Sequence, residues 1–177
     1  MKEEFTLSVF TEDRIGLLNR VSIIFTRRHI NIESITASES ELPNVHRYTI
    51  VIKEERDLVQ KVVKQLNKQV EILKAFLHKN TEVVYQELAL YKVPTHVLAQ
   101  GGDAENLVRK HSARVLSVAP EYTIIEKTGH KGETQELFKE LEPYGILEFV
   151  RSGRVAISKP MKEFKDYLLE IEVAAAH

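Results

Sequence analysis

The feature that most constrains the fold is a change of hydrophobic period that occurs in the same order twice. Phe5, Leu7 and Val9 alternate with Thr6 and Ser8, the period of a strand with one buried face. After a polar loop, Leu17, Leu18, Val21, Ile24 and Phe25 recur at helical spacing, with Asn19, Arg20, Arg27 and Arg28 largely off that stripe. Arg27 and Arg28 complement the macrodipole at the helix end. Residues 31–38 are rich in β-branched and small side chains and read as a second strand. Leu42-Pro43-Asn44 is a turn signal, and 45–53 alternates again through Tyr48, Ile50 and Ile52. Leu58, Val59, Val62, Val63, Leu66 and Val70 predict a second helix with Asp57 as its cap, and 71–77 a fourth strand. The order is βαββαβ, one complete ferredoxin-like unit.

The second half repeats that order without repeating the residues. Residues 82–93 predict the connector and first strand, closed by Pro94. A glycine-containing loop at 99–103 leads to a short helix through Val108, with Asp103 as a candidate cap. Residues 114–119 and 122–127 predict a hairpin split by Pro120, and Gly129 and Gly132 mark the next loop. Leu137, Phe138 and Leu141 form a helical stripe ending before Pro143-Tyr144-Gly145. Residues 146–150 and 155–157 are extended. The expected fold class is therefore α+β, with two ferredoxin-like βαββαβ domains over 1–80 and 81–160. The tail, 161–177, reads as an amphipathic helix through Phe164, Leu168 and Ile171, with the final Ala174-Ala175-Ala176-His177 set aside as appended sequence.

At 177 residues, 43% hydrophobic and 29% charged, the chain suits two small soluble domains. With 25 Lys+Arg against 26 Asp+Glu the formal net charge is -1, which gives no general attraction to nucleic acid or anionic membrane. There is no cysteine, so thiolate nucleophiles, disulfides and zinc–thiolate sites are excluded. No apolar run has signal-peptide or membrane-spanning form, and the expected compartment is the cytoplasm. The seven histidines form no H-x-x-x-H or H-x-H pair, so no metal site is expected. No G-x-S-x-G or phosphate-binding glycine loop occurs, and no catalytic residue or bound cofactor is expected. Glu12-Asp13 are adjacent in sequence and need not face each other as an acid/base pair. The third strand of an RNA-recognition motif carries aromatics among glycines; here only Tyr48 could stack, and it is better placed in a core.

What remains is a small-ligand site built from backbone. The loop Thr11-Glu12-Asp13-Arg14-Ile15-Gly16 runs into the first helix, whose unpaired N–H groups suit a carboxylate. Gly16 lets a ligand approach closely, or simply makes a tight turn. The carboxylate of a free amino acid could sit on the N–H groups of Gly16, Leu17 and Leu18. Asn31 could complete the shell, or serve only as a helix C-terminal residue.

The first seventy-odd residues resemble an ACT domain, a βαββαβ module that binds amino acids in regulated enzymes. Asp13-Arg14-Ile15-Gly16-Leu17-Leu18-Asn19-Arg20-Val21, followed by Phe25-Thr26-Arg27-Arg28-His29-Ile30-Asn31-Ile32-Glu33-Ser34, is similar to the small, regulatory subunit of acetolactate synthase. Tyr85-Gln86-Glu87-Leu88-Ala89-Leu90-Tyr91-Lys92-Val93, Glu121-Tyr122-Thr123-Ile124-Ile125-Glu126 and Arg151-Ser152-Gly153-Arg154-Val155-Ala156 extend the resemblance to about Ser158. The resemblance implies a non-catalytic chain that activates a separate large subunit. That partner is a transferase carrying thiamine diphosphate, magnesium and FAD. The resemblance further implies feedback inhibition by a branched-chain amino acid, valine before leucine or isoleucine. It implies a homodimer through the ACT domains. Asp13, Ile15, Gly16, Leu17 and Leu18 of one chain would then meet Asn31 and Ile32 of the other around the effector. Many members have Asn at the position of Asp13, Ser or Thr at Asn19, Gly at His29 and a small residue at Leu17. Asp13 would repel an effector carboxylate or hold its ammonium. The alternative is a free-standing ACT-domain sensor acting on another enzyme or on a transcription factor.

Overall fold

A computed structural model describes residues 1–99, 102–159 and 166, and divides the chain into two units. The first comprises 1–84 together with 154–159; the second comprises Tyr85–Gly153.

In the first unit, β1 (Glu3–Glu12), α1 (Leu17–Thr26), β2 (Ile32–Glu39), β3 (Val45–Glu54), α2 (Arg56–Leu66) and β4 (Ile72–Lys79) follow in the expected order. The antiparallel sheet runs β2-β3-β1-β4. β1 pairs β3 with Leu7 opposite Ile50, and β4 with Leu7 opposite Leu77. Phe5, Leu7 and Val9 face Val21, Phe25, Val59, Val62 and Leu66 in a closed core, as the alternation predicts. The polar face of β1 is not solvated, however: Thr6, Ser8 and Phe10 are buried as well. Phe10 meets Phe76 edge to face at 6.1 Å, and the Arg47 guanidinium lies 5.3 Å above the Phe10 ring. Period two revealed the strand but not that its second face is covered.

The helix α2 begins two residues earlier than the expectation. Its N-cap is Glu55, without a side-chain cap, and Asp57 sits inside the first turn, where its charge still favours the macrodipole. Beyond the helix end, the Asn67 amide accepts from Ala75 N–H (2.8 Å) and donates to Ala75 O (3.1 Å), tying the helix exit to β4.

The second unit contains β5 (Val83–Pro94, which starts in the first unit), α3 (Thr95–Ala99), α4 (Asp103–Lys110), β6 (Arg114–Val118), β7 (Tyr122–Gly129), α5 (Lys131–Leu141) and β8 (Glu148–Arg151). Its sheet runs β6-β7-β5-β8, the order of the first unit repeated. Ala89, Tyr91, Val93, Ile125, Leu137 and Leu141 form its core. Three local expectations change. Pro94 ends the strand but opens directly into α3, with Thr95 N–H donating to Glu121 O. The N-cap of α4 is Gly102, and Asp103 is the first helical residue. Gly129 closes β7, and Gly132 lies in α5 rather than in a loop. There Glu133 accepts from His130 N–H at 2.6 Å in a capping box.

After Gly153 the chain returns to the first unit as β9 (Val155–Ser158), which pairs with β5. The N–H of Lys159 donates to Glu82 O at 3.0 Å. The helix expected over 161–171 lies outside the described residues, apart from Asp166, which is helical.

Candidate functional site

The loop between β1 and α1 is held from three sides. Asp13 N–H donates to Asn44 O (3.0 Å) in the β2–β3 turn. Arg14 N–H donates back to Glu12 O, and the Arg14 guanidinium pairs with the Glu12 carboxylate at 2.6 Å. Arg20, one turn into α1, pairs with Glu71, the residue before β4. The backbone N–H of Glu71 and then Arg20 hold the Glu71 carboxyl below the usual carboxylate range, against the effect of desolvation.

Gly16 is the N-cap of α1, at φ 85° and ψ -2°. That left-handed conformation is strained for most side chains, yet a Cβ there would meet nothing within 4 Å. A turn requires the glycine, and the space beside it is open; the two readings of Gly16 hold together. The N–H of Leu17 donates to Arg14 O at 3.4 Å, a long bond. Leu17 points into the core, whereas Ile15 (107% exposed) and Leu18 (45%) project outward with apolar surface.

At the other end of α1, His29 takes the left-handed conformation (φ 54°), the geometry that ends a helix. Arg27 is the C-cap, so Asn31 is not the capping residue. Asn31 is exposed, and its amide nitrogen donates to Glu33 Oε1 at 3.3 Å; Ile32 opens β2 half-buried. Ten helical residues separate the Gly16 loop from the Asn31 turn, about 15 Å at the usual helical rise. One chain therefore does not bring the two groups together.

Asp13 turns toward β3, its carboxylate 3.5 Å from His46 Nε2. Together they border an open cavity of about 210 Å³ under the β2–β3 turn, with Glu39, Glu41 and Asn44 on its wall. Local spacing does not link His46 to Asp13, because the β1–β3 register that sets Thr11 opposite His46, and so brings Asp13 near it, joins positions far apart in the chain. It also leaves Arg154 inside a motif without a role. Among the described residues no group of three or more His, Cys, Asp or Glu could hold a metal, and no helix is long and apolar enough to cross a membrane. Tyr48 lies in the core.

Two βαββαβ units of one strand order, the first opening its leading helix on an exposed left-handed glycine, define a protein of two ferredoxin-like domains, the first of ACT type. A family model described as an AHAS small subunit-like ACT domain matches residues 7–74, and one described as the small subunit of acetolactate synthase matches 86–160. The acetolactate synthase small subunit of Mycobacterium bovis is 39% identical over 156 residues, covering 87% of this chain and 91% of the relative. That of Bacillus subtilis is 36% identical over 160 residues, covering 90% and 91%. The crystal structure of the small subunit from Thermotoga maritima superposes with a TM-score of 0.80 at 28% identity, covering 90% of this chain and 99% of that one. The chain belongs to the acetolactate synthase small subunit family.

Proposed function

We propose that this chain is the non-catalytic regulatory subunit of acetolactate synthase in branched-chain amino acid biosynthesis. It acts in the cytoplasm, binding and activating a large subunit that carries thiamine diphosphate, magnesium and FAD. It confers feedback inhibition by valine, with leucine and isoleucine as weaker candidates. The observation that carries the effector reading is the open space beside Gly16 at the start of α1. The first turn of a helix leaves N–H groups without intrahelical partners, and exposed Ile15 and Leu18 offer apolar contact to an aliphatic side chain.

The site is completed by a second copy. An antiparallel pairing of two first units across α1 and the edge strand β2 sets the Gly16 loop of one against the Asn31 turn of the other. Leu18 and Ile23 on α1 and Ile35 on β2 are exposed apolar side chains suited to such an interface. Ile35→Lys places a charge in that seam, and sedimentation should then show monomer at concentrations where the parent is dimeric.

The direct test is reconstitution with the large subunit and titration of valine, leucine and isoleucine against the rate. Gly16→Asp and Gly16→Asn form a matched pair, because Asn and Asp both tolerate left-handed backbone and differ in charge. The Asp variant should activate the large subunit but lose inhibition by valine, and the Asn variant should retain more of it. Parent-level valine affinity of Gly16→Asp by calorimetry would place the effector elsewhere.

A further inference from the structure

The Arg151-Ser152-Gly153-Arg154 stretch has a physical role that the effector site does not use. Arg151 is tied within the second unit, its Nε 3.3 Å from the buried Glu87 carboxylate. Ser152 doubles a bond to β5: its N–H donates to Leu88 O, and its Oγ accepts from Leu88 N–H at 2.9 Å. Arg154, the first residue back in the other unit, is 3% exposed. Its guanidinium donates to Thr6 Oγ1 (2.8 Å), Asn80 Oδ1 (3.0 Å) and Glu4 Oε1 (2.6 Å). Two residues on, Ala156 O accepts from the Arg47 guanidinium, which lies over Phe10. The returning chain is thus fastened to the face of β1 formed by Thr6 and Phe10.

A guanidinium buried to this degree is costly unless its hydrogens are matched, and breaking such a set is strongly destabilising locally. The bonds to Glu4 and Thr6 fasten Arg154 to the strand that runs directly into the Asp13–Gly16 loop. The geometry points to Arg154 as the positioning residue that couples effector occupancy of the first unit to the second. A displacement of β1 imposed by a ligand at Gly16 moves Glu4 and Thr6. It moves Arg154 with them, one peptide bond from the end of the second unit. This inference rests on the effector reading above and adds the route by which occupancy leaves the first unit.

The experiment uses the full chain, alone and reconstituted with the large subunit. Valine affinity is measured calorimetrically on the chain alone, and activation and inhibition on the complex. Arg154→Met should bind valine alone within about threefold of the parent and still activate. Its ratio of uninhibited to inhibited rate should fall by about fivefold or more toward one, the lower range of typical allosteric coupling. Arg154→Lys, which restores the charge toward Glu4 but not the fork, should fall between. In the parent, valine should change amide exchange in 85–93 and 146–153; in Arg154→Met that change should vanish while the change at the Gly16 loop persists. A merely structural role would move both alike. If Arg154→Met does not fold, Thr6→Val and Asn80→Ala, each removing one acceptor, should both reduce coupling. Parent-like inhibition and exchange in the folded variants overturn the inference and leave the effector site standing. A parent chain that binds no branched-chain amino acid overturns both.

Discussion

Tyr91 is the largest fully buried side chain, and it keeps its hydroxyl paired: it donates to Thr134 O at 2.6 Å. Burial pushes its pKa up to about 12 from 10.0, opposed by the nearby Arg151 charge. The unfolded chain thus loses this proton first as pH rises above about 10, so stability should fall between about pH 10 and 12. Tyr91→Phe should flatten that alkaline arm in urea melts. At neutral pH it should cost about 1 kcal/mol, for the lost bond from the hydroxyl to the Thr134 carbonyl. On the acid side, burial pulls His78 below 6.5, so the unfolded chain takes up a proton first and stability should fall as pH drops below that value. His78→Gln should delay the onset of acid loss toward the carboxylate range, where Glu140, held down first by its hydrogen bond from Lys110, is protonated in turn. Burial at these positions was not legible from periodicity: Val84, Leu88 and Leu90 suggest the apolar face of this strand, whereas the fold buries the opposite face, Glu87, Ala89, Tyr91 and Val93, and leaves Val84 and Leu88 exposed. Nor were side-chain partners, because Thr134 reaches Tyr91, and His46 reaches Asp13, only through packing and strand register that no local spacing encodes.

At the level of elements, the two sheets share the order 2-3-1-4 in their own numbering although no residue pattern repeats. Alternation of hydrophobic period was enough to read this, since strand–helix–strand order with short connections leaves few unknotted topologies. Legibility failed where one residue serves two signals. Pro94 stops a strand, and the sequence reading stopped with it, but a proline's fixed φ also suits a helix start, and α3 begins at the next residue. Gly132 suggests a loop because glycine weakens helices; within the first turn of α5 that penalty is offset by the His130–Glu133 box. The Asn67 bridge to β4 is an element-scale fastening of the same kind. Asn67→Ala removes two side-chain bonds to Ala75 and should lower stability by about 1–2 kcal/mol in urea denaturation.

For the whole molecule, the sequence suggests two domains divided near residue 80, and the chain joins the first unit again at Arg154. Local patterning shows where one element gives way to another, but not that a later strand belongs to an earlier unit. A fragment ending at Val84 would lack the Arg154 guanidinium beside Glu4, Thr6 and Asn80, and it should melt well below the first unit of the complete chain by calorimetry. The same nesting sets an order for synthesis on the ribosome. Residues 85–153 emerge complete before Arg154 does, and the Ser152–Leu88 bonds draw the two ends of that stretch together. Folding the nested unit first replaces a long loop closure by a short one, so the N-terminal strand made earliest receives its final covering last.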